Sequence, residues 1–393
     1  MKKLWFFLIL VLLWACGSSK KVVKKGVEIK EVKTSNWRLI EKRKIKGKFL
    51  GANFDKMELY LEEELNREKR THKIVIFDLK KMELSRSFQV PVGGFEDPDK
   101  MVEPFYMEYT DGRYFLVDLD TKIFVYNEEL NFLFPVMLYE KRRFFLDFFK
   151  KGENYFFFIG RNKFTGKINE ISGEVYKIIS NRKPRLVKKI VKFYAKDDYY
   201  KDRGKKIYKP VLWVTPFGFE KEGKLYYFYG EKGEYRYYDI DSERETVVYL
   251  GYLNCRKYSR EEAEKLARWG ATSTKYTRWL LSHGFKFVIE PYPLPVCFFT
   301  IYDAGKGKIG IITEVDIDKK KYRMDIFLSE KGKYIESLWL PFGKVFVQST
   351  GTYHGQLPYR NSINLDKGIY IFQDWDDELE IFTTKIIKFE QKK

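Results

Sequence analysis

The strongest constraint on this fold is a recurrence. An apolar residue followed by an aromatic one returns at Ile76-Phe77, Val125-Tyr126, Val175-Tyr176, Tyr237-Tyr238, Ile326-Phe327 and Ile381-Phe382. The aromatic-to-aromatic intervals are 49, 50, 62, 89 and 55 residues. The interval of 62 holds a 13-residue polar insertion from Asp197 to Lys209, and removing it leaves 49. The interval of 89 holds about 40 residues from Cys255 to Pro295, and removing those leaves about 49 again. Around the pairs lie short runs rich in β-branched and aromatic residues, such as Lys73–Asp78, Tyr114–Asp118, Tyr155–Ile159, Leu225–Tyr229, Lys308–Ile312 and Gly368–Phe372. Glycine-containing turns flank many of them, for example Thr110-Asp111-Gly112 and Glu222-Gly223, which is the punctuation of strands. Six units of about 50 residues, each with room for four strands, read as an all-β, six-bladed β-propeller. One blade alone leaves both of its faces exposed, whereas blades stacked around an axis cover one another. In this reading each pair opens the second half of its unit. Aromatics at 18% and hydrophobics at 44% suit wide contacts between blades.

The first residues carry an address. Lys2 and Lys3 precede an unbroken apolar run from Leu4 to Trp14. A spanning helix needs about 20 apolar residues, so these 11 read as a signal sequence. The run ends in Leu13-Trp14-Ala15-Cys16 followed by Gly17-Ser18-Ser19, which resembles the bacterial lipobox. The resemblance implies cleavage before Cys16 and lipidation (palmitate among the acyl chains) on its sulfur. Residues 1–15 are then the signal peptide, 16–48 a lipidated tether and 49–393 the propeller. The mature chain has 378 residues and a charge near +17, against +19 for the whole chain. From Lys20 to Lys48 the tether holds 12 Lys and Arg and 3 Glu, and a basic segment beside a lipid anchor is drawn to anionic headgroups. Two or more acyl chains anchor stably without spanning the bilayer.

The long insertion, about 255–295, falls between blades 4 and 5 and reads as helical. Ser259-Arg260-Glu261-Glu262 has the form of a capping box, with Ala263, Leu266 and Ala267 following at helical spacing. Cys255 and Cys297 bracket this insertion. In an oxidising compartment they form a candidate disulfide that would close a loop of about 41 residues, stabilising on the order of 3–4 kcal/mol. Two separate thiols are the alternative.

Gly93-Gly94-Phe95-Glu96-Asp97-Pro98 resembles the stretch between blades in NHL-type six-bladed propellers. Tyr114–Asp118 followed by Lys122–Tyr126 resembles the NHL strand pair, with Lys122 where that pattern usually has arginine. The layout as a whole is similar to bacterial six-bladed propeller lipoproteins of unassigned function. That resemblance implies a fold and an envelope address, on the periplasmic face or at the cell surface. It implies no activity, because propellers host both binding and catalysis.

Catalytic signatures are sparse. His72, His283 and His354 show no ligand spacing and read as ordinary surface or loop residues. No nucleophile elbow or phosphate loop occurs. Asp78 and Asp118 end strands and read as acceptors for turn amides. The innermost strands are expected to include Met107-Glu108, Leu146-Asp147 and Thr300–Asp303, so carboxylates from several blades can face the central channel. The most site-like stretch is the loop from Gln348 to Arg360, with Tyr353, His354, Tyr359 and Arg360 among its residues. Aromatics with Arg and His on a long loop make a recognition surface. Trp279 in the insertion is placed beside it, over one mouth of the channel. The primary reading is thus a binding or scaffolding module at the cell envelope, a monomer without metal or cofactor. Its positive charge favours an envelope protein or an acidic glycan, and no nucleic-acid motif is present. The alternative is a metal-dependent, lactonase-like or lyase-like hydrolase that uses the channel carboxylates.

Overall fold

A computed structural model describes residues 22–25, 37–63, 70–94, 97–118, 122–138, 143–164, 168–180, 183–196, 199–202, 205–208, 218–229, 234–250, 259, 261–262, 282–284, 286–287, 301–316, 318–343, 361–376, 378–379 and 381–391. Two strands precede the first blade, β1 (Val22–Lys25) and β2 (Trp37–Lys46). Blade 1 is β3 (Lys48–Asn53), β4 (Glu58–Glu62), β5 (Thr71–Asp78) and β6 (Glu83–Pro91). Blade 2 is β7 (Pro104–Thr110), β8 (Arg113–Asp118), β9 (Lys122–Asn127) and β10 (Phe132–Met137). Blade 3 is β11 (Arg143–Lys151), β12 (Asn154–Phe164), β13 (Ile168–Lys177) and β14 (Arg185–Lys196). After a hairpin of β15 (Tyr199–Asp202) and β16 (Lys205–Tyr208), blade 4 is β17 (Gly218–Lys221), β18 (Lys224–Tyr229), β19 (Glu234–Asp239) and β20 (Arg244–Tyr249). The two-residue β21 (Lys286–Phe287) precedes blade 5, which is β22 (Ile301–Asp303), β23 (Lys308–Asp316), β24 (Lys321–Leu328) and β25 (Tyr334–Pro341). Blade 6 has β26 (Asn361–Asn364), β27 (Ile369–Asp376) and β28 (Ile381–Gln391) from the C-terminal end of the chain. The strands within each blade run antiparallel in chain order. These six sheets are a six-bladed propeller.

Blade 6 takes its fourth strand from the other end of the chain: β2 pairs antiparallel with β28, from Trp37 opposite Gln391 to Lys46 opposite Thr383. This corrects the tether boundary read at residue 48, because Trp37–Lys46 belongs to the propeller. The tether was misread because an outermost strand meets water along one edge and much of its surface, and all ten residues of β2 are exposed or half-buried. Part of the remaining tether is also paired. β1 adds to blade 4 as a fifth strand, parallel to β20.

All six recurrent pairs sit on the third strand of their blade. The structure explains the recurrence through strand alternation, since neighbouring side chains point to opposite faces of the sheet. Ile76 packs toward blade 2 with Met107, Tyr114 and Phe124, while Phe77 packs toward blade 6 with Ile369 and Ile371. Val125 joins Phe148 and Phe157 of blade 3, and Tyr126 joins Ile74 and Ile76 of blade 1. Blades 3 and 5 repeat the division, with Tyr176 and Phe327 facing the preceding blade and Val175 and Ile326 the following one. The core is thus a set of slabs between blades. Each fully buried large apolar side chain contributes about 1.5–3 kcal/mol.

Local rules hold at the turns. Asp111 and Gly112 both take positive φ (42° and 87°), as do Glu222 and Gly223 (51° and 74°), the two-residue geometry that matches strand twist. Asp78 accepts the amides of Lys80 and Lys81 at 2.7 and 2.9 Å. Asp118 accepts those of Val102 and Glu103 at 3.0 and 2.9 Å. Lys122 is wholly buried. Its ammonium donates to the carbonyls of Gly94 (3.1 Å), Asp97 (2.5 Å) and Lys100 (2.8 Å) in the connection between blades 1 and 2. His72 differs from the surface residue expected. It is 4% exposed, with Nδ1 2.7 Å from Glu62 Oε1 and Nε2 3.1 Å from the Val102 carbonyl, and Glu62 also pairs with buried Lys48.

Within the insertion, Ser259 and Glu262 make the reciprocal capping bonds, amide to carboxylate at 2.8 Å and amide to hydroxyl at 3.2 Å. Most of the remaining insertion lies outside the described residues. Its β21 pairs in parallel with β16, so the two segments that lengthen the repeat join in one small sheet.

Two substitutions test this packing. Lys122→Met strands three carbonyls and should cost on the order of 3 kcal/mol. Gly51→Ala places a Cβ 2.2 Å from the Met107 carbonyl oxygen of blade 2 and should cost about 1–3 kcal/mol by overpacking. Both are read as lowered denaturant midpoints.

Candidate functional site

In every blade the first turn and the third turn open on the same face of the disc, because four antiparallel strands alternate direction. The innermost strands approach that face at their C-terminal ends. There the structure gathers acids from successive blades: Glu108 on β7, Asp147 on β11, Glu220 on β17 and Asp303 on β22. Asp55, in the first turn of blade 1, lies close enough for its charge to act on Asp303. Glu108, Asp147 and Glu220 are half-buried and Asp303 is exposed, yet protein surrounds each carboxyl closely enough for desolvation to dominate its titration. Both facts fit side chains that line a narrow channel.

The hydrogen bonds define what these carboxyls do. Glu108 accepts from the Tyr106 hydroxyl (2.6 Å), the Thr110 hydroxyl (3.2 Å) and the Phe148 amide of blade 3 (3.2 Å). Glu108 and Asp147 also hydrogen-bond one another. Two carboxyls in such contact disfavour ionising together. Asp147 accepts the Phe148 amide (2.9 Å) and, across the next interface, the Glu220 amide (2.5 Å). Glu220 accepts the Gly223 amide at 2.7 Å. Asp303 accepts from the Lys221 ammonium of blade 4 and from the Gly305 amide (3.0 Å).

These contacts belong to a belt that crosses all six interfaces. Asn53 of blade 1 donates to the Tyr109 carbonyl of blade 2 (3.1 Å). Asp366 of blade 6 accepts from Lys306 and Lys308 of blade 5. Gln373 of blade 6 accepts the Phe49 amide of blade 1 (3.0 Å). Gln373 is 2% exposed, and its Nε2 makes no hydrogen bond.

Titration follows from burial and like charge. Desolvation raises the Glu108 carboxyl, and desolvation followed by the charge of Glu108 raises Asp147 well above its ordinary range. Glu220 is raised to about 7, first by desolvation and then by Asp147. Desolvation raises Asp303 against the opposing pull of Lys221. Among the described residues, no group of three or more His, Cys, Asp and Glu is arranged to hold a metal ion.

The expected inner-strand carboxylates Glu108, Asp147 and Asp303 therefore come together. Glu220 was missed, because Gly218-Phe219-Glu220-Lys221 reads as an ordinary strand entering a charged turn. The residues singled out for recognition, Tyr353, His354, Tyr359, Arg360 and Trp279, lie outside the described residues, as do Cys16, Cys255 and Cys297. The strand ends that flank those segments, Tyr249, Ile301, Pro341 and Asn361, are at the face opposite the acidic mouth.

No protein-family model matches the chain, and no curated protein matches it. Among solved structures it is similar to a protein of Bacteroides fragilis described as exported, at 10% identity over 95% of this chain and 100% of that one, TM-score 0.44. BamB from Moraxella catarrhalis is similar at 9% identity over 86% and 84%, TM-score 0.34. The computationally designed Ika8 protein is similar at 6% identity over 90% and 99%, TM-score 0.35. The six-bladed assignment rests on the sheets themselves.

The acidic belt predicts a pH dependence with a defined sign. A carboxyl raised in the folded state binds protons more tightly there than in the unfolded chain. Its contribution to stability is therefore complete below the unfolded pKa and is lost as pH rises through the folded value. For Glu220 that window runs from about 4.5 to about 7. The melting temperature should be higher at pH 5.5 than at pH 8, and Glu220→Gln should flatten that slope.

Proposed function

We propose that this protein is a lipid-anchored, exported propeller that serves the cell envelope as a monomeric binding or scaffolding module, akin to NHL-like propeller lipoproteins. The observation that carries this reading is the use of the channel carboxyls. Glu108, Asp147 and Asp303 each accept a donor across a blade interface, and Glu220 accepts the Gly223 amide in the turn of its own blade. They act as fasteners of the ring, which leaves recognition to the loops and rim of the disc. The proposed partner is an envelope protein or an acidic glycan, drawn by the chain's surplus positive charge. The Gln348–Arg360 loop and the insertion, with Trp279, are the proposed contact surface.

One observation favours the hydrolase reading. Glu108 and Asp147, both raised and in contact, beside a Glu220 raised to about 7, are a composition suited to general acid–base chemistry.

Two measurements separate the readings. Cys16→Ser should abolish the lipid mass increment and move the chain from the membrane to the soluble fraction. Retention in the membrane would overturn the anchor. Elemental analysis of the mature chain, purified without added metal, should find no stoichiometric divalent ion. A bound ion at one equivalent would put the hydrolase reading first and direct a screen of lactones and esters.

A further inference from the structure

The tether strand pairs with the outer edge of blade 4, and the third turn of that blade receives blade 3. β1 pairs in parallel with β20, from Val22 opposite Thr246 to Lys25 opposite Tyr249. Parallel pairing puts the beginning of β1 at the beginning of β20, beside the 240–243 turn. That turn is also where blade 3 arrives. Lys188 of β14 bonds Glu243 at 3.2 Å, and its ammonium lies 4.7 Å over the Tyr238 ring. Lys151 of blade 3 reaches the Ile240 carbonyl at 2.9 Å. Beside Lys188 the edge strand shows two large apolar side chains to solvent, Leu186 at 47% and Val187 at 53% exposure. The surrounding sequence is one-signed. From residue 175 to residue 196 there are eight Lys and Arg and no Asp or Glu.

We propose that this rim rests on the anionic bilayer that holds the lipid anchor, and that β1 is the strap that keeps it there. The proposal rests on the reading of Cys16 as the lipidated residue. Only six residue steps separate Cys16 from Val22, which span at most about 20 Å at ~3.3–3.6 Å per residue. If β1 were unpaired, the first strand of the ring would be β2, beginning at Trp37, and the same arithmetic allows about 70 Å. Pairing therefore brings the blade 4 edge close to the lipid surface. The segment it brings along has apolar residues to enter the interface and basic residues to meet headgroups, each contributing roughly 1 kcal/mol near an anionic surface. The strap also covers the open backbone edge of blade 4. The acidic mouth opens on the face where β1 begins, so the same strap limits the directions from which the channel is approached.

The test uses the mature chain carrying Cys16→Ser and flotation on vesicles. Binding is expected on phosphatidylglycerol–phosphatidylethanolamine vesicles and not on phosphatidylcholine alone. The double change Leu186→Asp and Val187→Asp should weaken it at least tenfold, and so should Lys183→Glu with Arg185→Glu. Leu133→Asp, on the exposed rim of blade 2, should leave it unchanged. In the lipidated chain on vesicles, the amides of 186–191 should gain protection from hydrogen exchange. Val22→Pro with Val23→Pro should remove that gain, since one of the two lost amides faces β20 in either phase of the ladder. No binding to anionic vesicles, equal binding of the rim variants, or protection insensitive to the proline pair would each overturn the proposal. The anchor is scored independently by the Cys16→Ser fractionation in cells, so failure of the anchor and failure of the rim are distinguishable.

Discussion

Everything in this fold depends on closing the ring, and the closure is a backbone ladder. β2 and β28 join residues about 340 positions apart, Lys46 with Thr383 at one end and Trp37 with Gln391 at the other. Around that ladder, the Gly47 amide donates to the Phe382 carbonyl at 2.9 Å and the Thr384 hydroxyl to the Gly47 carbonyl at 3.1 Å. Without β2 the outer edge of blade 6 would be an open template for association. Closure also fixes the contact of blade 6 with blade 1, and with it the slab of Phe49, Leu59, Phe77, Ile369 and Ile371.

A closed ring of blades asks two things of each interface. Its broad part must be apolar, which the alternating third-strand pairs provide. Its narrow inner part must satisfy backbone groups where the strands crowd the axis, and here polar side chains cross between blades. Carboxyls suit this role because one group accepts several donors, as Glu108 accepts two hydroxyls and an amide. The cost is burial of acid, which is why Glu108 and Asp147 are raised above the ordinary carboxylate range and Glu220 is raised to about 7. The same chemistry that fastens the ring thus gives the mouth of the channel its electrostatic character. That character opposes the positive charge of the chain as a whole and of the blade 3 rim in particular.

Much of this was legible beforehand, and the reason is periodicity. A residue pair that must be apolar on both faces of a strand cannot drift into polar chemistry, so the third strands announce themselves six times. The turns Asp111-Gly112 and Glu222-Gly223 were legible because two positive φ values in succession are locally encoded. The acceptor roles of Asp78 and Asp118 were legible from their place at strand ends. β2 was not, because Trp37–Lys46 is an outermost strand whose composition is that of a basic linker. The burial of His72 was not, because its partners Glu62 and Val102 come from a neighbouring strand and from the following blade connection.

The amino-acid sequence by itself determined the blade number, the place of the long insertion between blades 4 and 5, and the presence of carboxylates on the inner strands. Each follows from local pattern, which the chain carries wherever it folds. Tertiary structure alone decided that Glu108, Asp147, Glu220 and Asp303 form one belt, that the two insertions share a small sheet, and that part of the tether lies along blade 4. Those outcomes depend on which distant segments the closed ring brings within hydrogen-bonding reach, and separation along the chain holds no record of it.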